Sequence, residues 1–298
     1  MVGIIWLRKE PKKICLKNTL EMYLEDKNMK NFKVAIVGYG HVGGIMKELF
    51  ADAYIYDEPK GIGTREEVND CDFAFVCVPT PKAEDGHCDT SIVDDILTWL
   101  EPKQVVILRS TVPVGYTDKW SVKRLCDLKM NHHIIFQPEY YGETYAHPFA
   151  DPHNRSWITL GGELRDTALV AELYQKMFTS QLIINQVDAK TAELAKYMEN
   201  SFYSVKVTFC NQFYDLANEL GVDYNKLRET WLLDPRISRS HTFVYPDNRG
   251  YGGSCLPKDT AAIIYQGNEV GVPMPLLETT EMINEIYHKT YDEVMTDD

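Results

Sequence analysis

The sequence has no apolar run approaching the ~18 residues that a membrane-spanning helix needs, no paired CxxC cysteines, no internal repeat and no low-complexity tract. Each absence removes a class. The apolar start Val2 to Leu7 is followed at once by Arg8, Lys9 and Lys12, which is not the pattern of a secretory leader, so neither a membrane span nor export is expected. Basic charge is also short: 31 Lys and Arg against 44 Asp and Glu leave a formal charge of −13, and a nucleic-acid partner would need basic clusters that are missing. The seven cysteines (15, 71, 77, 88, 126, 210, 255) are scattered, which reads as a reduced, cytoplasmic protein without a disulfide framework. Eight histidines find no paired-cysteine companions, so no metal is expected.

What is present is an ordinary globular balance, 44% apolar and 25% charged over 298 residues, enough for two domains. Residues 1–30 read as an N-terminal extension. Strand-like runs then recur at Lys33–Val37, Ala53–Tyr56, Asp72–Val78, Gln104–Leu108 and His132–Phe136, alternating with helical stretches. Ser156–Leu160 and Gln181–Ile184 would extend the same sheet. Alternation of this kind predicts an α/β fold with a Rossmann-like, doubly wound parallel sheet over 31–188. From 189 to 298 the strand signals stop, and an all-helical second domain is expected. Leu194, Met198, Phe202, Val205, Phe209, Phe213, Leu216 and Leu220 mark one long amphipathic helix ended by Gly221. A shorter helix to Leu233, a loop over Asp234–Ser254 and two closing helices complete the reading.

Gly38-Tyr39-Gly40-His41-Val42-Gly43 follows the first strand directly and opens a helix, and Asp57 ends the next strand nineteen residues after Gly38. A bare GxGxxG is common, but in this context it is the dinucleotide fingerprint. The glycines permit the turn, the approach of a pyrophosphate and close helix packing, while the N–H groups of the helix start bind the anion. Asp57 would hold ribose hydroxyls and repel a 2′-phosphate, which selects NAD over NADP.

The second informative stretch is Gly250-Tyr251-Gly252-Gly253-Ser254-Cys255-Leu256-Pro257-Lys258-Asp259. Ser254 can cap a helix, and Pro257 suits a first turn, where its missing N–H is not needed. A thiol placed there, beside Lys258, has its pKa lowered and becomes a nucleophile. The other six cysteines read as small buried apolar residues.

Together with Val78-Pro79-Thr80-Pro81, Arg109-Ser110-Thr111-Val112-Pro113-Val114, Gln137-Pro138-Glu139-Tyr140, Thr191-Ala192-Glu193-Leu194-Ala195-Lys196 with Asn200, and Asp234-Pro235-Arg236-Ile237, these stretches resemble the UDP-glucose/GDP-mannose dehydrogenase family. The resemblance spans Lys33 to about Lys289. It implies oxidation of a nucleotide sugar's C6 alcohol to the carboxylate with two NAD, UDP-glucose being the expected substrate. By this resemblance Cys255 captures the aldehyde as a thiohemiacetal, Lys196 and Asn200 stabilise the oxyanion, Asp259 and Thr111 hold or activate a water, and Glu139 stands near the reacting carbon. Thr80, Thr111, Glu143 and Lys258 would touch the NAD. Tyr140, Tyr251, Gly252 and Arg236 would meet the substrate, Arg236 that of a neighbouring subunit in a homodimer. Side-chain chemistry alone adds Tyr245 and Arg249 as contacts to a base and a phosphate.

The sequence departs from the family in its length, in a longer loop over His241–Arg249, and at Gln137 and Gly142. Family members carry a third domain that covers the nucleotide, and this sequence ends at Asp298 before it. The nucleotide half is then expected from the 234–249 loop, a partner subunit or a second polypeptide. Gln137 also stands where Asn or Ser is more usual. Two other readings fit parts of the pattern: a two-domain 3-hydroxyacid dehydrogenase, which needs no cysteine, and a non-catalytic protein that binds NAD or a sugar nucleotide.

Overall fold

The computed structural model describes residues 32–101, 103–126, 133–140, 151–153, 155–178 and 182–296. The N-terminal extension, Gly142 and Glu143 lie outside these residues.

Seven strands form one sheet: β1 (Val34–Val37), β2 (Tyr54–Tyr56), β3 (Phe73–Val76), β4 (Val105–Leu108), β5 (Ile134–Phe136), β6 (Trp157–Gly161) and β7 (Ile183–Val187), in the spatial order β2-β1-β3-β4-β5-β6-β7. Strands β1, β3 and β4 read VAIV, FAFV and VVIL and are buried at every position. A run that is apolar throughout, rather than alternating, is what a sheet covered on both faces demands. Ala35, Val37, Ala74, Val76, Val106 and Leu108 enter one core, whereas Val34, Ile36, Phe73, Phe75, Val105 and Ile107 enter the other. Covering the two faces are helices α1 (His41–Leu49), α2 (Arg65–Asn69), α3 (Ser91–Trp99), α4 (Tyr116–Cys126) and α5 (Leu164–Met177).

The sheet is not parallel throughout. Strands β5 and β6 pair antiparallel through Phe136 and Gly161, and every other pair is parallel. Reversing β6 removes the need for a right-handed helical crossover from β5, and α5 then returns the chain to a parallel β7. Hydrophobic runs carry no strand direction, so the sequence could not have revealed this.

After β7 the chain is helical: α6 (Ala189–Glu219), α7 (Tyr224–Trp231), α8 (Leu256–Glu269) and α9 (Pro275–Thr296). Asp188 caps α6 by accepting from the Thr191 amide at 2.9 Å, and Gly221 closes it with φ of 68°. The foot of α6 sits tightly on the sheet: a Cβ at Gly161 would lie 2.4 Å from Cβ of Ala192. The α6 helix has the expected length, but of its apolar stripe only Val205 packs against a core cluster. Met198 is 75% exposed, and Leu194, Phe202, Phe209, Phe213, Leu216 and Leu220 are exposed with it. The face turned inward carries Glu193, Lys196, Tyr197, Asn200, Ser201 and Ser204.

Candidate active site

The dinucleotide cradle lies where the strand order reverses, at the carboxyl ends of β1 and β3, the place where doubly wound sheets bind ligands. Each glycine of the fingerprint has a separate steric reason. Gly38 turns with φ of 92°, and a Cβ there would meet the Cys77 carbonyl at 2.7 Å. At Gly43 a Cβ would stand 2.0 Å from the Gly38 oxygen, so only glycine lets α1 start against the turn. Gly40, at the N-cap of α1, faces open space instead. The amides of His41, Val42 and Gly43 open the helix there, and first-turn amides have no intrahelical acceptor. Asp57 closes the cradle: it is almost buried and accepts from the Tyr39 amide at 2.8 Å and the Lys60 amide at 3.1 Å. Open backbone over a helix start, with a fixed carboxylate beside it, fits a dinucleotide.

Thr80 and Thr111 meet at the mouth of this cleft, the Thr80 hydroxyl donating to the Thr111 carbonyl at 2.8 Å. The Cys88 thiol also donates to that carbonyl at 3.4 Å, and burial raises its pKa, so it is a structural thiol, as expected for a cysteine outside the Gly-Gly loop.

The expected catalytic side chains converge. Lys196 and Asn200 are one turn apart on the inward face of α6 and are both buried. Lys196 Nζ donates to the Glu139 carbonyl and lies 3.5 Å from Asn200 Oδ1, with the Tyr140 ring centroid at 4.9 Å. Asn200 Nδ2 donates to Asp259 Oδ2 at 2.6 Å, and Lys258 Nζ donates to the other oxygen, Oδ1, also at 2.6 Å. Lys258 thus holds one oxygen of Asp259 and keeps further donors. Asp259 is fully buried, and its amide donates to the Cys255 carbonyl at 2.9 Å, so Cys255 stands one helical turn before it.

Cys255 itself is the N-cap of α8, a place expected for Ser254, and its thiol is exposed at the surface. The Ser254 hydroxyl lies 3.6 Å from the sulfur. Pro257 falls in the first turn as its missing N–H requires.

The residues expected to meet the substrate fall in different surroundings. Arg249 does not present its guanidinium to a phosphate: it bonds Asn211 Oδ1 at 2.7 Å and Asp215 Oδ1 at 2.6 Å and lies 4.8 Å from the ring centroids of both Tyr214 and Tyr287. Its Nε and Nη2 donors and its stacking faces pin the loop to α6 and α9. Tyr251 is 2% exposed and so belongs to the core beneath the Gly-Gly turn. Tyr245 is exposed and Gly252 faces open space. Arg236 projects into solvent, steadied by a short bond to Asp234 at 2.6 Å.

Residues without an assigned role complete the site. Arg109 forms a buried ion pair with Glu139 and also donates to the Gln137 and Pro138 carbonyls at 3.3 Å, which fixes the segment carrying Glu139. Gln137 accepts from the Tyr174 hydroxyl at 2.9 Å, a longer reach than Asn or Ser has. Glu199, beside Lys196 and Arg155, has its carboxyl pKa raised by burial. Its signal in the sequence was its place three residues after Lys196. Among the described residues no group of three or more His, Cys, Asp or Glu side chains is arranged to hold a metal, and no helix is long and apolar enough to cross a membrane.

The doubly wound sheet thus carries a dinucleotide cradle, and the helical part carries a lysine–asparagine–aspartate cluster and a cysteine at a helix start. Residues 62–178 match the NAD binding domain of the UDP-glucose/GDP-mannose dehydrogenase family and residues 190–286 its central domain; the chain belongs to this family. The domain matched over the sheet is the family's NAD binding domain, so the cofactor is NAD. The UDP-glucose 6-dehydrogenase of Rhizobium meliloti is 32% identical over 221 residues, covering 72% of this chain and 50% of that protein. The GDP-mannose 6-dehydrogenase of Pseudomonas aeruginosa is 27% identical over 227 residues, again 72% of this chain and 50% of the other. The chain thus spans about half the length of the curated relatives it matches. In fold it is similar to a UDP-glucose dehydrogenase from Pyrobaculum islandicum, with a TM-score of 0.73 at 23% identity over 87% of this chain and 69% of that one.

Proposed function

We propose that the protein is an NAD-dependent nucleotide-sugar 6-dehydrogenase that oxidises the C6 alcohol of UDP-glucose to the carboxylate through a thiohemiacetal on Cys255. The observation that carries this reading is the chain of bonds Lys196–Asn200–Asp259, with Cys255 one turn before Asp259 on the same helix. Family membership supports the reaction class, and the Rhizobium meliloti relative supports UDP-glucose over GDP-mannose.

When bound, NAD supplies the hydride acceptor at C6, once for each of the two oxidations. Lys196 has three donors and Asn200 two on its amide nitrogen, so each keeps at least one N–H for the sugar's C6 oxygen after its bonds inside the site. Donors aimed at a charge that develops only during reaction lower the barrier directly. The Cys255 sulfur bonds to C6 of the aldehyde, which turns the carbonyl into a thiohemiacetal alkoxide held by the same two donors. Loss of the second hydride leaves a thioester. Water steadied by Asp259 and Thr111 attacks it, the C–S bond breaks, and the carboxylate departs as the sulfur recovers its proton. Thr80 and Thr111 hold the nicotinamide end, and Gly38, Gly40, His41, Val42, Gly43 and Asp57 hold the rest of the dinucleotide.

The exposed stripe on α6 belongs, in this reading, to a homodimer whose subunits pair along that helix. Seven large apolar side chains on one face of a helix exceed what a lone subunit leaves in water. Arg236 then reaches the partner's substrate.

The test is spectrophotometric. The purified chain is mixed with NAD and, in turn, UDP-glucose, GDP-mannose and a UDP-N-acetylhexosamine; two NADH per acid are expected with UDP-glucose. Cys255→Ser should lower acid formation on the order of a thousandfold. A flat trace with every sugar would instead leave a protein that binds NAD or a sugar nucleotide without turning it over.

A further inference from the structure

The Cys255 thiol is exposed, and the loop leading to it contains adjacent glycines, so something must hold the sulfur in place. Downstream the anchor is α8 itself, through the Asp259 amide on the Cys255 carbonyl. Upstream, Arg249 and the Gly250 amide are held by α6, and the Tyr251 peptide is held by α9. Asn284 accepts from the Tyr251 amide at 2.7 Å and donates to the Tyr251 carbonyl at 2.9 Å, pairing with the peptide as a neighbouring strand would. His288, one turn later on α9, lies with Nε2 3.1 Å from the same carbonyl. The fit is close: Asn284 is 6% exposed, and a Cβ at Gly250, whose φ is 79°, would stand 2.3 Å from Asn284 Oδ1. Between the two anchors only Gly252, Gly253 and Ser254 remain, and all three are exposed.

We propose that Asn284, seconded by His288, is a positioning residue for the Cys255 thiol: it clamps Tyr251 so that a three-residue tether delivers the sulfur to the start of α8. The inference rests on the reading of Cys255 as the nucleophile. Asn284 touches no reacting atom. Without the clamp, the glycine pair lets the tether move, and the first turn of α8 frays with the sulfur on it. The thiol then loses its fixed place at the N-cap of α8, where the helix start favours a reactive thiolate.

The test uses the full chain and needs no turnover. Iodoacetamide alkylation at neutral pH is followed by peptide mass spectrometry, with the exposed Cys126 as an internal reference. In the parent protein Cys255 should react about tenfold faster than Cys126. Asn284→Ala should reduce that ratio at least about fivefold through Cys255 alone, and His288→Ala, which leaves both Asn284 bonds in place, should reduce it about twofold. Asn284→Asp conserves volume, so it keeps the question answerable if the alanine variant does not fold. Its carboxylate oxygen faces the Tyr251 carbonyl without a proton, and the ratio should again fall. A fast Cys255 that stays fast in every folded Asn284 variant overturns the clamp while sparing the nucleophile. A Cys255 no faster than Cys126 in the parent protein sinks the nucleophile and the clamp together.

Discussion

The 2.6 Å bond from Asn200 Nδ2 to Asp259 Oδ2 joins α6 to α8 and thereby the expected oxyanion donors to the helix that begins at Cys255. Since Asn200 also accepts from Lys196, replacing one member disturbs the others. Asn200→Ala leaves Asp259 with Lys258 as its remaining charged partner and removes a donor from the site. A loss of about a hundred- to a thousandfold in kcat is expected, with a smaller change in KM. Steady-state kinetics on Asn200→Ala and Lys196→Ala check this, and a double variant no worse than the worse single variant would identify the two as one unit.

Gly43→Ala isolates the cradle. A Cβ 2.0 Å from the Gly38 oxygen forces the start of α1 away from β1 and displaces the amides that would face the pyrophosphate. Loss of NAD affinity by at least about tenfold is expected, as one displaced anion contact is worth about 1.4 kcal/mol or more. Fluorescence titration measures it, and Gly44→Ala, with nothing within 4 Å of its Cβ, is the control.

Glu193 gives a dependence on pH. It is fully buried on α6 and accepts from the Gly115 amide at 2.6 Å and from the Thr117 amide and hydroxyl at 2.9 and 2.6 Å. Burial nevertheless outweighs these bonds and raises its carboxyl pKa. A folded-state pKa above the unfolded one means the group contributes most below the unfolded carboxyl value, near 4.3, and loses that contribution as pH rises through the folded value. The stability advantage of the parent protein over Glu193→Gln should therefore grow on acidification from neutral pH. Denaturant titrations at a series of pH values read the difference, and a difference constant with pH would exclude the effect.

The α6 stripe predicts the assembly. Phe209→Glu combined with Met198→Glu places two charges on the face assigned to the partner. A shift from dimer to monomer in sedimentation velocity is expected, with NAD affinity retained. A parent protein that already sediments as a monomer would refute the pairing.

Much of this arrangement was legible in the sequence because it depends on short-range chemistry. The glycine fingerprint, Asp57, the i,i+4 pair Lys196 and Asn200, and Cys255 with Pro257 are each defined by spacing along a single element. The misplaced residues depend on contacts between distant elements. Arg249 looks like a phosphate ligand until Asn211 and Asp215, nearly forty residues away, are found to hold it. The apolar period of α6 located the helix but left its burial open, because an exposed stripe and one facing the core have the same spacing. Asn284 had no pattern at all to reveal it, and Arg109 stood in a recognised motif without a role; each acts on backbone brought near by the fold.

Gln266 on α8 bonds both the amide and the carbonyl of Val114, at 3.0 and 2.9 Å, while Glu193 on α6 grips Gly115 and Thr117 immediately after it. The two reactive helices are therefore bolted to neighbouring links of one connector, the segment that also carries Thr111. Opening and shutting of the cleft cannot use this joint as its pivot without breaking buried bonds. In the proposed reaction, α6 and α8 would therefore keep a fixed spacing from the Thr111 segment while substrate enters and leaves.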